Sequence, residues 1–223
     1  MYKPVHIPNE LGRKRWYVFS HKLQREIRLY GDLEYDHWVF VEMDPAIVNY
    51  CEKPKQIVQS YEGEIISTTF DMWLKKDNGY EEFVSVDYSF KLDPQHKKSS
   101  KKAIKEISVQ RRWCEENRFN FRSLTEADIR GNMVLMDNLK RLIPFKPIDD
   151  LGAIKNGNEI LEEIKSGNSK VVNLEQKFKQ YKNVSIMNDI FTLIRSGYIS
   201  ANIEETPLGF QTEVKLYEEK AIT

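Results

Sequence analysis

Thirteen acidic side chains against five basic ones crowd residues 34–94 of this 223-residue chain. On either side the balance reverses: residues 1–33 carry seven basic and three acidic groups, and residues 95–141 carry twelve and six. Carboxylates set between Lys/Arg-rich flanks are what a metal-dependent nuclease needs, because hard divalent cations take oxygen ligands and cationic side chains receive phosphates. Arg13, Lys14 and Arg15 make one flank. Lys97, Lys98, Lys101 and Lys102, with Arg111, Arg112, Arg118 and Arg122, make the other. The plain alternative is that these blocks are solvated faces. Over the whole chain Lys+Arg and Asp+Glu are 34 each, so net charge by itself says nothing about polyanion binding.

Other chemistries find little support. Cys51 and Cys114 belong to no CxxC or Cys/His cluster, which argues against a zinc site or a disulfide scaffold and makes both thiols plain core or surface residues. His6, His21, His37 and His96 are too scattered to form a catalytic or zinc constellation. No GxxxxGK[ST] or dinucleotide-binding glycine pattern occurs. The apolar runs fall well short of the roughly 20 residues that span a bilayer, and MYKPVHIPNE lacks a signal-peptide core. The expectation is a cytoplasmic protein without membrane contact.

The elements that must position the acids can be read from local pattern. LEYDHWVFVEM, followed by Asp-Pro, reads as a short buried helix over Leu33–Met43. Ile57–Tyr61 and Ile65–Phe70 read as strands around Glu62-Gly63-Glu64. Phe70–Leu74 and Phe83–Phe90 flank Asn78-Gly79, a hairpin signal, so a three- or four-stranded antiparallel unit is expected. Ser99–Asn117 has the spacing of an amphipathic helix, and Phe119–Leu124 reads as a strand. Thr125 with Asp128 caps a helix through Asn132, and another helix covers Val134–Leu142. Trp16, Tyr17, Phe19, Trp38, Phe40, Tyr50 and Trp73 lie mostly in apolar runs and read as core.

IPFKPIDDLG interrupts the helical pattern with two prolines and a glycine and marks a boundary between a domain over 1–145 and a second over 150–223. The second reads as helices at Asn158–Lys165, Asn173–Tyr181 and Ile186–Ser196, then a hairpin from Tyr198–Glu204 and Phe210–Tyr217. Three helices and a two-stranded wing follow the winged-helix plan. Its third helix, IMNDIFTLIRS, is mostly apolar, which favours packing or protein docking over reading DNA.

LEYDHWVFVEMDPAIVNYCEKP, followed by TTFDMWLKKDNGYEEFVSVDYS, resembles the TnsA family of transposase endonuclease subunits. GRKRWYVFS, EISVQRRWCEEN, FNFRSLTEADIR and VLMDNLKRL extend the likeness over roughly residues 12–142. The resemblance implies an α/β fold with a restriction-endonuclease-like mixed sheet flanked by helices, and a smaller C-terminal winged-helix domain. It further implies Mg²⁺- or Mn²⁺-dependent cleavage of the non-transferred strand at the 5′ ends of a transposon. The implied partners are double-stranded DNA, a DDE transposase and an AAA+ regulator ATPase.

On this likeness Glu34 is the helical acid and Asp71 the hairpin acid, the two leading metal ligands. Where the family has Glu/Gln-x-Lys, this chain has Ser85 and Asp87. Alternation along a strand points both to the face of Asp71, so Asp87 becomes a third candidate ligand, but no residue of that strand replaces the lysine. A lysine of the following helix, Lys102 or Lys105, could reach the site. Otherwise the site binds metal but is slow, or it is dead and the subunit serves assembly. Gln110, on the same helix, is a polar candidate facing the centre. Glu213-Val214-Lys215 copies the missing tripeptide in the wrong domain and is set aside. A reading from another class is a winged-helix DNA-binding regulator.

Overall fold

The computed structural model describes residues 2–6 and 14–217. The chain divides into two compact units, Met1–Gly131 and Asn132–Thr223. Among the described residues no helix is long and apolar enough to cross a membrane.

The first unit opens with an antiparallel hairpin, β1 (Arg15–Ser20) and β2 (Arg25–Tyr30). Helix α1 (Asp32–Met43) follows, entered through Gly31 at φ +112°, a backbone that suits glycine. Leu33, Trp38, Val39 and Val41 bury its apolar side. Strands β3 (Ile47–Glu52), β4 (Gln56–Tyr61), β5 (Glu64–Thr69), β6 (Met72–Lys76) and β7 (Glu81–Val86) come next. Then follow α2 (Ser89–Leu92), α3 (Lys101–Glu116), β8 (Asn120–Leu124) and α4 (Glu126–Ile129). Ser100 caps α3 by accepting from the Ala103 amide at 3.2 Å. Thr125 and Asp128 close a reciprocal capping box on α4.

The central sheet has the order β3-β6-β7-β8, antiparallel except for the parallel pair β7-β8. This corrects the expectation of one antiparallel unit: β4 and β5 form a separate hairpin, and α3 carries the chain back so that β8 enters alongside β7. The Asn78-Gly79 turn links β6 and β7 as expected, with Gly79 at φ +83°. Its second strand ends at Val86, and Ser89 already begins a helix. Phe70, Trp73, Phe83, Val109 and Cys114 pack together beneath the sheet. Trp38, Tyr50 and Trp73 are core, as read. Tyr17 and Phe19, however, are 57% and 51% exposed, because β1 pairs only with β2 and nothing among the described residues covers its outer face. Tyr17 instead lies beside the Arg28 guanidinium.

The second unit contains α5 (Met133–Leu142), α6 (Gly157–Lys165), α7 (Val171–Lys182) and α8 (Met187–Arg195). A short antiparallel pair, β9 (Ile199–Ala201) and β10 (Val214–Leu216), completes it. Ile160, Leu174, Ile190, Leu193 and Val214 form its buried interior. Asn138 ties α5 to the segment between β9 and β10, donating to the carbonyls of Ile203 and Thr206 and accepting from the Leu208 amide. The order of three helices and a hairpin after residue 150 follows the pattern read from the sequence.

Candidate functional site

Glu34 sits in the first turn of α1, near the positive end of the helix dipole, and its Oε2 accepts from the Tyr30 amide at 3.1 Å. Asp71 immediately precedes β6. Its backbone amide donates to the Val84 carbonyl, and its Oδ2 accepts from the Val86 amide at 2.6 Å, so β7 holds this carboxylate in one orientation. Lys53 follows β3 directly, in the register opposite Asp71, and its amide donates to the Asp71 carbonyl at 2.9 Å. The lysine ammonium lies 3.0 Å from Glu34 Oε1 and 2.5 Å from Asp71 Oδ1. Two carboxylates distant in sequence thus converge on one positive charge. Lys53 has φ +45°, a left-handed conformation that costs a residue with a Cβ and persists only where surrounding contacts enforce it.

These three side chains lie at the base of a cleft of about 520 Å³ within the first unit. Thr68, Ser85 and Gln110 line it as a buried, hydrogen-bonded chain. Ser85 Oγ donates to Gln110 Oε1 at 2.8 Å, and Gln110 Nε2 donates to Thr68 Oγ1 at 2.9 Å and to the Thr69 carbonyl at 3.2 Å. Asp87 lines the same cleft, as strand alternation implied, but its Oδ1 is engaged by the Lys91 ammonium at 2.6 Å and the Tyr88 amide at 2.9 Å. Lys102 lines the cleft too, exposed and 3.8 Å from Glu106. Lys105 does not. It reaches back to Glu64 at 2.8 Å and Glu62 at 3.9 Å, because its place on α3 faces the tip of the β4-β5 hairpin.

The expected trio is therefore gathered only in part. Among the described residues no group of three or more His, Cys, Asp or Glu side chains could hold a metal ion. Glu34 and Asp71 still offer what Mg²⁺ or Mn²⁺ accepts, namely hard oxygens aimed at a single point, and Mg²⁺ is commonly held by one or two carboxylates with water completing its shell. The Lys53 ammonium is the stand-in cation that marks that point. Asp87, neutralised by Lys91, contributes no oxygen there.

Two carboxylates share one ammonium, and burial sets the balance at Glu34. Burial pushes its carboxyl up to about 7; Lys53 opposes the rise and the Asp71 charge adds to it. Burial works against the Lys53 ammonium, but Asp71 and Glu34 outweigh it and hold its pKa above the ordinary lysine range. His37, one turn along α1 from Glu34, is pushed down to about 4 by burial, with Arg122 adding to the effect. Both cysteines are buried and free, and burial raises each to about 12, which leaves them unreactive thiols.

The basic candidates fall into separate settings. Arg13 lies outside the described residues. Lys14, at the cleft, is exposed, pairs with Asp32 at 2.9 Å and lies over the Trp16 ring. Arg15 is exposed at the start of β1. Lys97, Lys98, Lys101 and Arg111 are exposed before and along α3. Arg112 is instead committed to structure, donating to the Ser60 carbonyl and fastening α3 to β4. In the second unit Glu213 lies 3.6 Å from Lys170.

Lys53 is the residue at the centre of the acid pair that the sequence did not single out. It lies directly before Pro54, after the tyrosine of the VNYCEKP run, and because lysines are so rarely buried nothing in the local pattern marks it as an interior residue. No protein-family model and no curated protein matches the chain.

Proposed function

We propose that this protein is a TnsA-like transposition subunit, a divalent-metal-dependent DNA endonuclease that cuts the non-transferred strand at the 5′ ends of a transposon. The observation that carries the reading is the convergence of Glu34 Oε1 and Asp71 Oδ1 on one cation position at the base of a cleft. Burying two carboxylates around one ammonium is a poor way to gain stability, since a well-packed apolar trio of similar volume would serve as well or better. Such an arrangement fits a site that has to receive further positive charge.

When bound, Mg²⁺ or Mn²⁺ would supply Lewis-acid polarisation of a phosphate oxygen and a water poised for attack. Glu34 and Asp71 would hold it. Tyr30 and Val86 fix the two carboxylates through their backbone amides, so that the oxygens need no reorganisation. Gln110, Ser85 and Thr68 brace β7 against α3 and β5 behind the cleft. The exposed Lys14 and Lys102 side chains line the cleft where a DNA backbone would pass. In this reading the first unit adopts a restriction-endonuclease-like arrangement. The helices and hairpin after residue 150 form a winged-helix module for a DDE transposase, an AAA+ regulator or flanking DNA.

One observation favours a second reading within the same assembly. Lys53 already neutralises part of the acid pair, as it would in a subunit that has lost cleavage and kept its architecture. The two readings separate when the protein and its cognate transposase are incubated with end-containing DNA and Mg²⁺. Free 5′ ends on the flanking strand, lost in Asp71→Asn, support cleavage. Uncut 5′ strands with intact complex formation support the assembly role.

A further inference from the structure

Resting on the endonuclease reading, we infer that the outer face of the β4-β5 hairpin reads base edges in the major groove of the duplex whose strand the cleft cuts. Side chains of the two strands divide between two faces. Ile57 and Ile66 turn inward onto the apolar cluster beneath the sheet, and Gln110 and Arg112 of α3 hold the ribbon there through Thr68 Oγ1 and the Ser60 carbonyl. The opposite face pairs Gln56 with Thr69, Val58 with Ser67 and Ser60 with Ile65. None of these six residues is charged, although 30% of the chain is, and Val58 and Ile65 are 62% and 74% exposed. Among the described residues β4 and β5 pair only with each other, and a hairpin with open edges is ordinarily protected by charge on such a face.

The chemistry of this face matches base edges rather than phosphates. The Gln56 amide suits adenine N6 and N7, the Ser67 and Thr69 hydroxyls serve as donor or acceptor, and the methyls of Val58 and Ile65 suit the thymine methyl. Gln56 Nε2 donates to Ser67 Oγ at 2.9 Å, which orients the amide along the face and leaves its oxygen and second N–H for a base. Two strands about 4.8 Å apart fit a groove about 12 Å wide. Residues two apart on a strand stand about 7 Å apart, about two base-pair steps. Positive charge lies at the margin, where phosphates would run. Gln56, Ser67 and Thr69 line the cleft together with the exposed Lys14 and Lys102, and at the tip Lys105 pairs with Glu64 at 2.8 Å and offsets the acids there. The ribbon is thus continuous with the cleft, and the bases it meets are those beside the bond that is cut.

The test uses the full chain in two arms. In EDTA it is mixed with duplexes carrying a randomised central tract, and the bound molecules are sequenced. With its transposase and Mg²⁺ it is given transposon ends randomised beside the cut, and the cut molecules are sequenced. Wild type is expected to enrich a short motif holding an A·T pair in both arms. Gln56→Ala should lower the preference at that pair about tenfold with the salt dependence of binding unchanged, and Val58→Ala should lose a smaller part of it. Lys102→Gln should instead weaken binding to all sequences alike and reduce the salt slope by about one. Gln56 is exposed, so an unfolding temperature equal to wild type shows that its loss acts on recognition and not on the fold. A wild type that cuts without base preference, or a preference that Gln56→Ala and Val58→Ala both leave intact, overturns the inference and leaves the endonuclease reading standing. Self-association abolished by Ile65→Lys, with base preference unchanged, also overturns it, because the face then covers a second copy of the chain. A Gln56-dependent preference among bound duplexes, with no strand cut, supports the ribbon as a reader and overturns the endonuclease reading alone. Wild type that retains no duplex and cuts none overturns both.

Discussion

Glu34 makes the site measurable without any substrate. In the metal-free protein its carboxyl titrates near 7, against about 4.5 for the ordinary glutamate, because burial disfavours the anion more than Lys53 restores it. A folded-state pKa above the unfolded one contributes stability that is full below pH 4.5 and is lost as pH rises through 7. Between pH 5 and 8 the loss is on the order of a few kcal/mol. His37 works in the opposite direction. Its folded pKa is depressed from 6.5 to about 4, so the folded state gains stability as pH rises through that interval. In the wild type the two oppose each other, so a single stability curve would not separate them.

Glu34→Gln removes one of them. The stability difference between wild type and Glu34→Gln, measured by urea unfolding in EDTA, should fall by a few kcal/mol, to order of magnitude, from pH 5 to pH 8, with His37 and all other groups cancelling. All four tryptophans, Trp16, Trp38, Trp73 and Trp113, lie in the first unit, so their fluorescence follows that unit alone. Parallel curves for the two proteins would refute the reasoning, since they would mean that Glu34 is ionised in the folded state at every pH tested.

Mg²⁺ should raise the unfolding temperature of the first unit more at pH 8 than at pH 6, because a ligand carboxylate must first lose its proton. Asp71→Asn should abolish the rise, as read by tryptophan fluorescence. Gln110→Ala should cost about 2 kcal/mol in urea unfolding by leaving Ser85 and Thr68 without their buried partner. Asp36→Asn should cost a similar amount, about 2 kcal/mol, by stripping the Arg130 guanidinium of the carboxylate 2.6 Å away that joins α1 to the end of α4.

Much of the scaffold could be read from local pattern. Helix α1 shows in LEYDHWVFVEM, the β6-β7 turn in Asn78-Gly79 and the α4 cap in Thr125 and Asp128, because each depends on residues a few positions apart. Strand pairing was less visible. VNYCE carries no clean alternation, since β3 is buried along most of its length, and the residues of β8 do not reveal that it lies parallel to β7. The exposure of Tyr17 and Phe19 follows from β1 having a single partner, which composition does not disclose. At the site, Glu34 and Asp71 are expectations of a resemblance and not of any local pattern. The place of Lys53 depends on the β3-β6 register, and the engagement of Asp87 depends on α2 starting early enough to bring Lys91 within reach.

The most direct measurement is anomalous scattering from crystals soaked in Mn²⁺ at pH 8. A manganese peak bonded to Glu34 Oε1 and Asp71 Oδ1, absent in Asp71→Asn crystals, is the result predicted. At saturating Mn²⁺, a cleft without a peak and with Lys53 still seated between the two acids would contradict it.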